Sequence, residues 1–86
     1  MIKTNGIVVD VFIPKQYKNG SLLDVMDRNY IGFKVKTDNE IKEIILEQDK
    51  NNSRIMKNHL VTIIEQKISG KYFVDIELYD GDEYEW

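Results

Sequence analysis

The chain has 86 residues, of which 42% are hydrophobic and 31% charged, and its net charge is −3. This length supplies one small domain and excludes doubly wound sheets, β/α barrels and two-domain enzymes, which need well over about 100 residues. Because the chain contains no cysteine, disulfides, thiolate nucleophiles and cysteine-based zinc sites are also excluded.

The residue types favour β-structure. Alanine is absent, whereas isoleucine, valine and threonine together supply 22 residues, and their branched side chains suit strands better than helices. No apolar run approaches the roughly 18 residues that cross a membrane, and no export signal is evident at the start of the sequence. We therefore expect a cytoplasmic protein that does not associate with membranes.

The first predicted strand runs from Gly6 to Ile13, where apolar and polar residues follow a period of two, and Pro14 ends it. The next stretch contains the turn-forming pair Asn19-Gly20. After it, Ser21 and Asp24 have the spacing of a helix capping box. This spacing predicts a short helical turn near residues 21–27.

A second strand is predicted over residues 30–37, with Ile31, Phe33 and Val35 facing inward. The pair Asp38-Asn39 then predicts a tight turn. Residues 40–46 fit a strand or an amphipathic helix, and we favour a strand because β-branched residues dominate and the turn before it follows a clear strand.

Residues 59–68 show the same ambiguity, and their β-branched residues again favour a strand. Ser69-Gly70 predicts a turn, and residues 71–79 alternate as a strand with Val74 and Ile76 on one side.

Five short strands indicate a mainly β fold, a small antiparallel five-stranded and partly closed barrel of the SH3-like or OB type. The alternative is an α+β fold with helices near residues 38–48 and 59–68. We expect residues 1–79 to form a single domain and residues 80–86 to form an acidic, aromatic C-terminal tail.

Charge is divided unevenly along the chain. Residues 1–36 contain six basic and three acidic residues, and residues 37–86 contain six basic and twelve acidic residues. The two parts therefore carry charges of +3 and −6, and a partner would experience different electrostatic fields on different faces.

No residue pattern indicates catalysis, and we predict no catalytic, cofactor-binding or metal-binding residues. His59 is the only histidine, and we expect it to be exposed or to tie a loop. The acidic residues near the C-terminus lack the ligand spacing of an EF-hand.

The leading hypothesis is a non-catalytic interaction module that presents loops, an edge strand or the acidic tail to an unidentified protein partner, with a homodimer as one possibility. Aromatic and methionine side chains are the usual anchors at interfaces, and the candidates are Tyr17, Met26, Tyr30, Tyr84 and Trp86.

The alternative hypothesis is single-stranded nucleic-acid binding by stacking aromatics and lysines, although the net negative charge disfavours it. Its candidates are Lys15, Tyr17, Lys18, Arg28, Tyr30, Lys34 and Lys36.

Overall fold

The computed structural model describes residues 1–79 of the chain, with the backbone alone for Tyr17 and Lys18. Seven strands cover most of this range, and the predicted mainly β fold is confirmed. The strands are β1 (Ile2–Phe12), β2 (Lys15–Lys18), β3 (Ser21–Met26), β4 (Tyr30–Lys36), β5 (Ile41–Glu47), β6 (Leu60–Ile68) and β7 (Lys71–Leu78).

Five of these strands form one antiparallel sheet in the order β5-β4-β1-β6-β7, and β2 and β3 form a separate two-stranded sheet. The long strand β1 organises the main sheet. Its first half, from Ile2 to Ile7, pairs with β6, and its second half, from Ile7 to Phe12, pairs with β4. The β4–β5 and β6–β7 hairpins therefore extend from opposite edges of one strand.

The sheet bends around a single core of nine buried apolar side chains. Valine, isoleucine and one phenylalanine make up this set, which fits the β-branched composition. Its members are Val8, Ile31, Phe33, Val35, Ile44, Ile55, Val61, Ile63 and Ile76. The inward-facing residues predicted for β4 all belong to it. The sheet is not closed, however, so the predicted barrel is only partly realised.

A β-bulge in β1 changes which of its residues face the core. Val8 pairs with Val35, but the next pair joins Asp10 to Lys34, so one residue of β1 is left over between them. The extra residue moves the inward face from even to odd positions, and both Val8 and Val11 pack on the core. Uninterrupted alternation from Gly6 to Ile13 was therefore the wrong expectation.

Two hairpins close through tight turns of the kind that the sequence predicts. Asn19-Gly20 and Ser69-Gly70 have φ values of 52°, 77°, 51° and 80°, and positive φ at both central residues is typical of a type I′ turn. The first of these turns also explains a wrong prediction. Residues 21–27 do not form a helical turn, because Ser21 pairs with Lys18 across the turn and begins strand β3.

The alternative helices near residues 38–48 and 59–68 are also wrong, since these stretches contain β5 and β6. The helical element among residues 1–79 is one turn of 3-10 helix at Asn52–Arg54. In that range, no helix is long and apolar enough to cross a membrane.

The loop between β5 and β6 is held together around the buried side chain of Asn52. Its Nδ2 donates to the carbonyl oxygen of Glu47 at 2.7 Å, and its Oδ1 accepts the backbone N–H of Asp49 at 2.9 Å. Ile55, which directly follows the 3-10 turn, is buried in the core. The loop therefore closes one end of the bent sheet.

His59 ends this loop and ties it. Its Nδ1 accepts the backbone N–H of Met56 at 3.1 Å, and its backbone carbonyl accepts the N–H of Val8 at 3.0 Å. This arrangement agrees with the loop-tying role that we expected for His59.

Candidate interaction surfaces

Strands β2 and β3, residues 15–26, form a hairpin that we call the arm. It belongs to its own two-stranded sheet, and a hydrogen bond from the N–H of Asp27 to the carbonyl oxygen of Pro14, 2.7 Å long, closes its base. Lys15 and Asp24 form an ion pair along it at 3.1 Å, but both side chains are well exposed, so this pair stabilises the arm little.

The arm exposes large apolar side chains to solvent. Leu22, Val25 and Met26 are 58%, 55% and 54% exposed. A two-stranded hairpin is marginally stable on its own in water, and exposed apolar groups of this size gain free energy when a partner covers them. The arm thus carries three large exposed apolar side chains on an element outside the main sheet.

Two of the residues predicted to bind protein, Tyr17 and Met26, lie on the arm. A third, Tyr30, begins β4 beyond the turn that follows the arm, and about a third of its surface is exposed. Tyr84 and Trp86 lie outside the described residues. Leu22 and Val25 were missed, because residues 21–27 were predicted to form a helical turn and not one strand of an exposed hairpin.

The residues predicted to bind nucleic acid lie on two parts of the fold, the outer face of β4 and the arm with the turn after it. Tyr30, Lys34 and Lys36 do share the outer face of β4, as predicted. Asp10 and Glu43 are the cross-strand partners of Lys34, however, and a carboxylate on each side weakens its attraction for phosphate. The remaining members of the set lie on the arm or in the turn after it; these are Lys15, Tyr17, Lys18 and Arg28.

A cleft of about 310 Å³ separates the β4–β5 hairpin from the β6–β7 hairpin. We call it the β5–β7 cleft. One wall is β5 with the residue before it, and the other is formed by β6 and β7. The lining residues are 40–45, Ile63, Glu65, Tyr72 and Val74.

Three polar side chains from three different strands meet in this cleft. The Nζ of Lys42 donates to Oε1 of Glu65 at 2.9 Å, and the hydroxyl of Tyr72 donates to the other carboxylate oxygen of Glu65. The Glu65 side chain is 18% exposed. This network connects the two hairpins on the side where the sheet is open.

The network shifts the pKa of each member so that the protonation state that makes the hydrogen bond is favoured. Hydrogen bonds from Lys42 and then from Tyr72 lower the pKa of Glu65, because they stabilise the carboxylate. The hydrogen bond to Glu65 raises the pKa of Lys42 and also that of Tyr72, because each must keep its proton to donate.

These shifts predict how stability depends on pH. A lowered pKa of Glu65 stabilises the fold above the ordinary glutamate pKa, and this contribution disappears as the pH falls through the folded value. The raised pKa values of Lys42 and Tyr72 stabilise the fold at pH values below the ordinary pKa of each group, and this contribution is lost at strongly alkaline pH. We therefore expect Glu65→Gln to destabilise the protein at neutral pH and the difference to shrink between about pH 5 and pH 2.

Urea unfolding followed by circular dichroism across this pH range measures the difference, with Glu77→Gln, an exposed carboxylate on β7, as the control. A Glu65→Gln difference that stays constant down to about pH 2 would show that the network does not couple protonation to folding.

Within residues 1–79, no group of three or more histidine, aspartate or glutamate side chains is arranged to hold a metal ion. The fold and these surfaces define a small β domain with an exposed arm and an open cleft. No protein-family model, curated protein or solved structure matches the chain.

Proposed function

We propose that this chain is a non-catalytic protein-binding module and that the arm is its docking surface. The observation that carries the proposal is the exposure of Leu22, Val25 and Met26 on a hairpin that lies outside the main sheet. The arm is a two-stranded hairpin that carries exposed leucine, valine and methionine side chains. These side chains can enter a groove of a partner.

The main sheet has the complementary task of holding the arm. Its core is continuous, and Pro14 and Asp27 lie in the two connections that join the arm to β1 and to β4. The main sheet has five antiparallel strands and is partly open, as an OB barrel is, and kinship with the small SH3-like and OB barrels is part of the proposal. The absence of cysteine supports a cytoplasmic location.

Capture experiments with matched variants test the arm. The full chain is immobilised, and the proteins it retains from the native cell are compared with those retained by the double variant Leu22→Ser, Met26→Ser. The control is Met56→Ser, Ile68→Ser, which removes side chains of 63% and 53% exposure away from the arm.

We expect the arm variant to lose a protein that both the wild type and the control retain, with at least about a tenfold loss of bound material. Purified partner and titration calorimetry then give the change in affinity. If the arm variant retains the same proteins as the wild type, the arm is not the docking surface.

The second candidate function is nucleic-acid binding, which the shared exposed face of Tyr30, Lys34 and Lys36 favours. It predicts that a labelled single-stranded oligonucleotide binds at low salt and that Lys34→Glu weakens this binding. Absence of binding at low salt removes this candidate and leaves the protein-binding proposal intact.

A further inference from the structure

The backbone hydrogen bonds between β4 and β5 show which N–H and C=O groups of β5 point away from β4. The N–H of Thr37 donates to the carbonyl of Glu40 at one end, and the N–H of Gln48 donates to the carbonyl of Asn29 at the other. Bonded and non-bonded pairs alternate in an antiparallel ladder. The N–H and C=O groups that point away from β4 therefore belong to Ile41, Glu43, Ile45 and Glu47.

In β7, alternate residues likewise point their backbone groups away from the neighbouring strand, β6. The N–H of Tyr79 donates to the carbonyl of Leu60, so the residues of β7 whose backbone groups point away from β6 include Tyr72 and Val74. Tyr72 and Val74 also line the β5–β7 cleft opposite β5. Two strand edges thus border one cleft, and in residues 1–79 no other strand pairs with either edge.

Because the sheet has an odd number of strands, its two edge strands cannot pair antiparallel with each other as all its neighbouring strands do. Every neighbouring pair in the order β5-β4-β1-β6-β7 is antiparallel, so the two outer strands, β5 and β7, run in the same direction. An additional strand that runs the opposite way is antiparallel to both of them. A strand of that direction in the cleft can therefore form antiparallel backbone hydrogen bonds with both edge strands.

We propose that the β5–β7 cleft accepts an extended segment of a partner protein as an added strand, antiparallel to β5, with apolar and basic side chains alternating along it. This is a second surface, and the proposal does not rest on the arm. An edge strand that gains a partner strand in this way binds through its main chain and selects through alternate side chains.

The lining of the cleft specifies the chemistry of that segment. Ile44, Ile63 and Val74 are buried or half-buried apolar residues that suit apolar side chains facing inward. The charged lining residues are Glu40, Glu43, Glu65 and Lys42, and Lys42 already bonds Glu65. The exposed carboxylate of Glu43 has Lys34 as its neighbour on β4 and would have the outward side chains of the added strand on its other side, where lysine or arginine is favoured over an acidic residue.

Charge also separates this occupant from two others. Residues 80–86 contain four acidic residues, Asp80, Asp82, Glu83 and Glu85, and the excess of carboxylates in the cleft opposes them. The β5 strand of a second copy contains two glutamates and one lysine, so it offers no basic complement either. A basic, alternating segment of another protein is the occupant that complements the cleft.

Hydrogen exchange of individual amides, measured by NMR on the full chain, tests the proposal. The probe is a synthetic peptide of about nine residues in which lysine and valine alternate. We expect it to slow the exchange of the Ile41, Glu43 and Ile45 amides by at least about tenfold, because these amides gain acceptors. The amides of Lys42 and Ile44 already bond β4 and should change far less.

Two controls separate strand addition from general attraction to an acidic protein. A peptide with glutamate in place of every lysine should leave the exchange rates unchanged. Glu43→Lys should weaken binding of the lysine peptide by about tenfold or more, whereas Asp24→Lys, the same change of charge at an exposed position of the arm, should leave it close to that of the wild type.

The proposal is overturned if the lysine peptide protects none of the three alternate amides at about millimolar concentration, or if both peptides act equally. Slow exchange of these amides without peptide also overturns it. Protection that grows with protein concentration would then indicate a second copy, and protection independent of concentration would indicate residues 80–86. The variant Leu22→Ser, Met26→Ser should bind the peptide normally, so failure of the arm and failure of the cleft are distinguishable.

Discussion

Replacing Gly6 by alanine should lower the free energy of unfolding by about 3 kcal/mol and the Tm by about 15 °C. A Cβ at this position would lie 2.6 Å from both the backbone carbonyl oxygen of Lys36 and the Cγ1 of Val35. Val35 is fully buried, and Lys36 belongs to the β4 ladder, so neither can move without disturbing the sheet. Thermal and urea unfolding followed by circular dichroism measure the loss.

The location of Gly6 explains why this contact is so close. Gly6 pairs with β6, and the next residue, Ile7, is the one that pairs with both β6 and β4. Gly6 therefore lies where β1 passes from one partner strand to the other, next to Lys36 at the end of β4.

Gly32→Ala provides the comparison, because a Cβ there would overlap the ring of Phe12, a side chain that is only half-buried. Adding Phe12→Leu to Gly32→Ala should therefore recover much of the lost stability. Adding Val35→Ala to Gly6→Ala should not, since the carbonyl of Lys36 remains. Unfolding of Gly6→Ala at the wild-type temperature would contradict the close approach of β1 to β4.

Replacing Asn52 by aspartate should cost about 3 kcal/mol at neutral pH, although the two side chains have almost the same shape. The Nδ2 group that donates to the carbonyl of Glu47 at 2.7 Å becomes an oxygen. A buried carboxylate would then face a carbonyl oxygen, and the carboxylate of Asp49 is also close, since it accepts the backbone N–H of Asn52 at 2.8 Å.

The loss should shrink as the pH falls, as it does for Glu65→Gln, but here the cause is a raised carboxyl pKa in the variant rather than a lowered one in the wild type. Burial and these neighbours favour the neutral form of the new carboxyl group, so its pKa in the folded state should rise. Protonation restores a donor toward Glu47, and the destabilisation should therefore decrease as the pH is lowered from about 7 to about 4.

Asn51→Asp makes the same chemical change at the adjacent, exposed position and is the matched control, expected to alter stability by less than about 0.5 kcal/mol. Urea titrations at several pH values compare the two variants. Equal effects of the two substitutions would mean that the side chain of Asn52 does not hold the loop.

Some elements could be predicted from the sequence because local chemistry and the tertiary fold agree on them. Residues 30–36 alternate strictly, and Ile31, Phe33 and Val35 reach the core as predicted. Asn19-Gly20 forms its turn because asparagine and glycine tolerate positive φ at low cost, and in Ser69-Gly70 the glycine does so. These features depend on neighbours in the sequence, which periodicity can detect.

Other features required contacts between distant residues. Ser21 and Asp24 have the spacing of a helix cap, but the hairpin closed by Asn19-Gly20 supplies cross-strand hydrogen bonds, and Ser21–Met26 is a strand. The arm was therefore missed as a surface, although Tyr17 and Met26 were already candidates on it.

The cleft likewise separates what local sequence determines from what contacts between distant residues determine. The composition of the chain, rich in β-branched residues and without cysteine, determined by itself that the protein would build a small β domain on packing alone. Only the tertiary structure decided that Lys42, Glu65 and Tyr72 would meet and that β5 and β7 would run in the same direction with a cleft between them. Periodicity specifies which face of a strand is buried, whereas strand order and the bulge at Val8 specify which faces and edges come together.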